Sequence, residues 1–64
     1  MRRIAAQLEA EFPLWLVIFG AYSREFVAFP RFDAPEAMVT AIYPVALGER
    51  MRAVEALALV GARE

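Results

Sequence analysis

Residues 13–32 read PLWLVIFGAYSREFVAFPRF: two strongly apolar runs, Leu14 to Tyr22 and Phe26 to Phe32, separated by Ser23, Arg24 and Glu25. β-Branched and aromatic residues dominate both runs, and each has the length of a strand. The stretch is therefore expected to form a β-hairpin. With Ser23 and Arg24 as a two-residue turn, Tyr22 faces Glu25, Phe19 faces Ala28 and Trp15 faces Phe32. Alternation then puts Trp15, Val17, Phe19, Ala21, Phe26, Ala28, Pro30 and Phe32 on one face. Leu16, Ile18, Gly20, Tyr22, Glu25, Val27, Phe29 and Arg31 take the other. Ser-Arg lacks the Asn-Gly or Asp-Gly chemistry of a type I′ turn, so a longer loop with a different register stays open. The first face is core. The second is also largely apolar, which is unusual for an antiparallel sheet with one wet side.

Upstream, Ile4, Ala5, Leu8 and Phe12 recur at helical spacing, which predicts a short amphipathic helix over Arg2 to Glu11 that Pro13 ends. Ten residues are too few for an isolated helix, so its order must come from packing Ile4, Leu8 and Phe12 on the sheet. Downstream, Asp33 and Glu36 have capping-box spacing, and Ala34, Ala37, Met38, Ala41 and Ile42 would make a helical stripe. Val39, Thr40, Ile42 and Tyr43 favour a strand instead, closed by Pro44, and Met38 to Tyr43 is expected to be the third strand. So short a connector allows only an antiparallel meander with the second strand central. Pro30 cannot donate to a ladder, so the third strand must pair clear of it or a bulge must sit there. The last element, about Val45 to Val60, is a helix with Leu47, Met51, Val54 and Ala58 on one face and Gly61 as its stop. Leu59 and Val60 fall outside that stripe. The expected fold is α+β in a single small domain, residues 1–64, in the order α-β-β-β-α: a short N-terminal helix, an antiparallel hairpin or three-stranded meander, and a C-terminal helix.

A chain of 64 residues buries only about 60% of the surface that its unfolded form exposes, so its core is marginal. Small domains reach comfortable stability with disulfides, a metal or a partner chain. With no cysteine and no histidine, thiolate and imidazole sites are closed, and no cofactor or metal is expected. A partner remains. At 61% hydrophobic residues, the chain holds more apolar surface than so small a domain can hide. Seven basic and eight acidic residues balance to a net charge of −1, so no field steers the chain to nucleic acid or acidic membranes. All the basic residues are arginine. Arg50 and Arg52 with Arg2 and Arg3 could form a local basic patch, but Glu49 and Glu55 make a solvated helix surface the simpler interpretation. The longest uncharged apolar run, Phe12 to Tyr22, is too short to span a bilayer, and no secretory signal is recognised, so a cytoplasmic protein is expected.

The order LEAEFPLW, then GAYSREFVAFPRF, then ERMRAVEAL resembles a group of small actinobacterial proteins. In these an amphipathic helix leads through Phe-Pro-x-Trp into an aromatic-rich strand pair, and a short helix ends the chain. The matching positions are Leu8, Phe12, Pro13, Trp15, Tyr22, Phe29, Pro30, Met51 and Val54. The resemblance implies the helix-hairpin-helix layout and an actinobacterial source; that group has no activity to carry over.

Without His, Cys or Lys, the usual bases and activated nucleophiles are missing. Glu9 and Glu11 point apart on a helix, Asp33 and Glu36 read as a cap, and Ser23 reads as a turn residue, so no catalytic residue is assigned. REFVAFPRF superficially resembles the aromatic strand of an RNA-recognition fold, yet it lacks the glycine of that motif and Pro30 interrupts it. The expectation is a small non-enzymatic protein that self-associates as a homo-oligomer, a dimer in the simplest case, and serves as an interaction or regulatory module. Its interface would comprise Leu16, Ile18, Tyr22, Val27, Phe29, Leu59 and Val60, with Tyr22, Glu25 and Arg31 at the rim. The alternative is a dimeric binder of a small apolar or aromatic ligand, with Trp15, Phe19 and Phe26 lining the pocket.

Overall fold

Two prolines punctuate the chain, and each does so through its missing N–H. In the computed structural model, which describes residues 2–63, helix α1 spans Arg2–Glu11 and stops where Pro13 can no longer donate to the preceding turn. Phe12 still donates to the Leu8 carbonyl at 2.8 Å, and its own carbonyl accepts from Trp15 N–H at 3.0 Å, which turns the chain into the sheet. Pro44 opens helix α2, Pro44–Arg63, where an unpaired N–H is normal and a fixed φ suits the first turn.

Between the helices lie β1 (Trp15–Gly20), β2 (Glu25–Pro30) and β3 (Val39–Ala41), one antiparallel sheet in the order β1-β2-β3. The fold is α+β with the expected order of elements, and the meander replaces the simple hairpin. The register differs from the two-residue-turn expectation. Trp15 pairs with Pro30, Phe19 with Phe26 and Gly20 with Glu25, a shift of two residues. The connection is a four-residue loop, Ala21 to Arg24, closed by Arg24 N–H donating to the Gly20 carbonyl at 2.7 Å. A type I′ turn would force positive φ on both Ser23 and Arg24; the longer loop needs it only at Arg24, whose φ is 58°. Because side chains alternate with period two, a shift of two leaves both faces as expected. β3 pairs only with Phe26 to Ala28, clear of Pro30, so the proline opens no gap in the ladder.

Both helices cover the same sheet face. Ala5 and Leu8 from α1, Phe12 just after it, and Leu47, Met51 and Val54 from α2 enclose Trp15, Val17, Phe26, Ala28, Val39 and Ala41. Trp15 stands edge-on to Phe32 with ring centroids 5.4 Å apart, and its indole N–H donates to Glu55 Oε2 at 2.7 Å. Phe12 packs over the bare Cα of Gly48, where an added Cβ would sit 3.5 Å from the ring, and carries the Arg52 guanidinium 5.2 Å above its centroid.

Helix α2 runs past the expected stop at Gly61 to Arg63. Glycine costs a helix about 1 kcal/mol without forbidding it, and no glycine among the described residues has positive φ. The buried stripe ends at Val54, with Ala58 half-buried, so the last turns overhang the core. A 20-residue helix is about 30 Å long, which explains a molecule of 39 × 20 × 17 Å.

Candidate interaction surface

Since α1 and α2 both lie against one face, the other is left to solvent. The register places three rows there: Leu16 beside Phe29, Ile18 beside Val27 and Thr40, and Gly20 beside Glu25. Extending the alternation of β3 by one residue at each end adds Met38 next to Phe29 and Ile42 next to Glu25, and Leu14 precedes Leu16 on β1. Leu14 is 51% exposed, Leu16 41%, Ile18 44% and Phe29 36%; Met38 and Ile42 are also open. These seven apolar side chains, counting half-buried Val27, follow the open side of the register, with Ile42 at its margin beside the Phe19 cleft. Tyr22 is fully exposed at the hairpin tip.

The two edges of the sheet are closed by charged side chains. Arg31 N–H donates to the Leu14 carbonyl at 2.7 Å, a ladder bond on the row before Leu16 and Phe29. Bonded and non-bonded rows alternate in an antiparallel pair, so Leu16 and Ile18 bond to β2 while Val17 turns its N–H to the free edge. Glu9 of α1 accepts that N–H at 2.9 Å and lies 3.7 Å from Arg31 Nη2. By the same alternation Val27 bonds toward β1, so Thr40 opposite it presents its carbonyl at the outer edge of β3. The Arg50 guanidinium of α2 donates to that carbonyl. Each helix thus supplies one side chain that blunts an open edge, a device that discourages strand addition.

Apart from Tyr22 at the hairpin tip, the expected interface residues fall into two groups. Leu16, Ile18, Val27 and Phe29 share the open face, with Glu25 and Arg31 on the same side of β2. Leu59 and Val60 are exposed on the overhanging end of α2, beyond the opposite side of the sheet. One flat contact cannot cover both groups. Of the expected ligand-pocket residues, Trp15 and Phe26 have no exposed surface at all, while Phe19 is half-buried and packs at 4.9 Å against Phe26. Phe19 also lines an open cleft of ≈ 530 Å³ with Ala21, Arg24, Ile42, Tyr43 and Pro44. Sequence reasoning omitted Leu14, Met38 and Ile42; the alternation of a third strand was the signal that would have found the last two.

Among the described residues, no three His, Cys, Asp or Glu side chains converge, no buried side-chain polar atom lacks a partner, and no helix is long and apolar enough to cross a membrane. Glu9, Glu55 and Arg50 hold the fold together, and Arg52 lies over Phe12 rather than in a basic patch. What the arrangement offers is apolar contact area with a polar margin. Compared with models of known families, with curated proteins and with solved structures, the chain matches none.

Proposed function

We propose that this chain is a small non-enzymatic interaction module that self-associates through the open face of its sheet. The observation that carries the proposal is the uncovered patch of Leu16, Ile18, Val27 and Phe29, in a domain whose helices both pack on the other side. A three-stranded face about 20 Å long measures roughly 300 Å² in plan, the size at which exposed apolar patches on monomers often mark a binding site. It is small beside the roughly 800 Å² per partner of a standard stable interface, so association is reversible. Sedimentation equilibrium from micromolar to millimolar chain, with circular dichroism at the same concentrations, tests the proposal. A concentration-dependent dimer supports it; a folded monomer at every concentration refutes it.

A second function is favoured by the cleft beside Phe19. Its apolar walls, with Arg24 among the lining residues, suit a small aromatic or aliphatic ligand. Binding there would perturb the NMR signals of Phe19, Ile42 and Tyr43 and leave those of Leu16 and Phe29 unchanged.

A further inference from the structure

We infer that two copies stack face to face with their β2 strands antiparallel, about a two-fold axis that crosses the strands at Ala28, so that Glu25 of each copy meets Arg31 of the other. The inference rests on the proposed self-association and specifies its geometry. The open side of β2, continued one residue past its end by the Arg31–Leu14 ladder bond, carries Glu25, Val27, Phe29 and Arg31 in succession: negative, apolar, apolar, positive. Glu25 and Arg31 each stand three residues from Ala28. A two-fold axis across the strands at that point therefore exchanges Glu25 with Arg31 and Val27 with Phe29. On β1 the residue paired with Ala28 is Val17, so the same axis exchanges Leu16 with Ile18; on β3 it is Val39, and Met38 exchanges with Thr40. Apolar residues land on apolar ones across β1 and β2, and opposite charges meet at both ends.

The competing arrangements lose on stated grounds. A two-fold axis along the strands would set Glu25 on Glu25 and Arg31 on Arg31, two like-charge contacts that oppose association. Edge-to-edge pairing into a longer sheet would have to displace Glu9 from the Val17 N–H or Arg50 from the Thr40 carbonyl. Arg31 is ion-paired with Glu9 at 3.7 Å, beyond hydrogen-bond length, and its half-exposed side chain leaves donors for a second carboxylate. The apolar area is modest, so two symmetry-related charge pairs at the rim weigh heavily in the choice of orientation.

The dissociation constants of Glu25→Arg, Arg31→Glu and the double charge reversal, measured by sedimentation equilibrium beside the natural chain, test the inference. Each single reversal turns both attractions into repulsions and weakens association about tenfold or more, and the double variant restores it to within a few-fold. Arg31→Glu places a second carboxylate near Glu9, so a gentler cycle of Glu25→Gln and Arg31→Gln accompanies it. Within one chain those positions are about 20 Å apart and do not couple; across the interface the double variant weakens association no more than either single change. If the natural chain stays monomeric, self-association and the geometry fall together. If it dimerises but the single reversals bind like the natural chain, the reversed pair stays as weak as the singles, or the glutamine changes are additive, the orientation is overturned and self-association stands.

Discussion

Replacing Ile18 by glutamate is the most direct perturbation of the open face, because the side chain lies on the open side of β1 beside Val27 and is 44% exposed. Fully burying a Val, Leu, Ile or Phe side chain supplies about 1.5–3 kcal/mol. Leu14, Leu16, Ile18 and Phe29 retain between 36% and 51% of their exposure, about 1.7 side-chain equivalents left to bury per copy and about 5–10 kcal/mol per dimer. Association costs about 4–15 kcal/mol in lost freedom, so the net is at most about 6 kcal/mol and the dissociation constant is expected at tens of micromolar or weaker. Ile18, at 44% exposure, contributes about 0.7–1.3 kcal/mol per copy. Losing that twice, and desolvating two carboxylates besides, raises the dissociation constant at least about 30-fold. The change is on the solvent side of β1, and the covered half of Ile18 together with strand preference puts its cost to the monomer at about 1–3 kcal/mol, which circular dichroism of the variant monitors. Sedimentation equilibrium read against circular dichroism separates the two effects. Val45→Glu, an exposed apolar position at the start of α2, controls for added charge alone. If Ile18→Glu associates within threefold of the natural chain while keeping its circular dichroism spectrum, the open face is not the contact.

Two predictions concern the fold that presents this face. Glu55→Ala leaves the Trp15 indole N–H without its 2.7 Å acceptor in a side chain with no exposed surface, and is expected to cost about 1.5–3 kcal/mol, with Glu55→Gln costing much less because an amide oxygen can still accept. Urea unfolding followed by the fluorescence of the single tryptophan measures both, and equal losses for Ala and Gln would show that the hydrogen bond is not the cause. Gly48→Ala adds a Cβ at an ordinary 3.5 Å from the Phe12 ring and removes a helix-disfavouring residue, so thermal unfolding should show a gain of about 0.5–1 kcal/mol; a loss would mean that Phe12 cannot accommodate the methyl group.

The order of elements was legible in the sequence because it depends on local signals. The helical spacing of Ile4, Ala5 and Leu8 and the halt at Pro13 bounded α1 at Glu11, as observed. The alternation of Trp15, Val17, Phe26 and Ala28 identified the buried face of the hairpin, and that assignment survived a two-residue error in register because the pleat repeats every two residues. The second apolar face could be read for the same reason, and with it Leu16, Ile18, Val27 and Phe29.

Distances across the chain decided the rest. Loop length in the hairpin depends on whether a left-handed conformation is tolerated at one residue or two, and it settled only with Arg24 at φ 58°. Residues 34–43 carry both a helical stripe and β-branched residues; three of them became β3 because β2 offers Phe26 to Ala28 an unfilled side to pair with. Trp15 and Phe26 were expected on the core face, with pocket lining as the alternative, and it is α2 that closes over them. Nothing local marks Glu9 and Arg50 as caps on opposite edges of one sheet, since each meets a backbone group that only the packing of its helix brings within reach. Periodicity and punctuation act over a few residues, so the sequence by itself determined the elements and their apolar faces. Which faces were covered, which edges were closed and which apolar patch was left open depended on contacts between distant segments, and only the tertiary structure decided them.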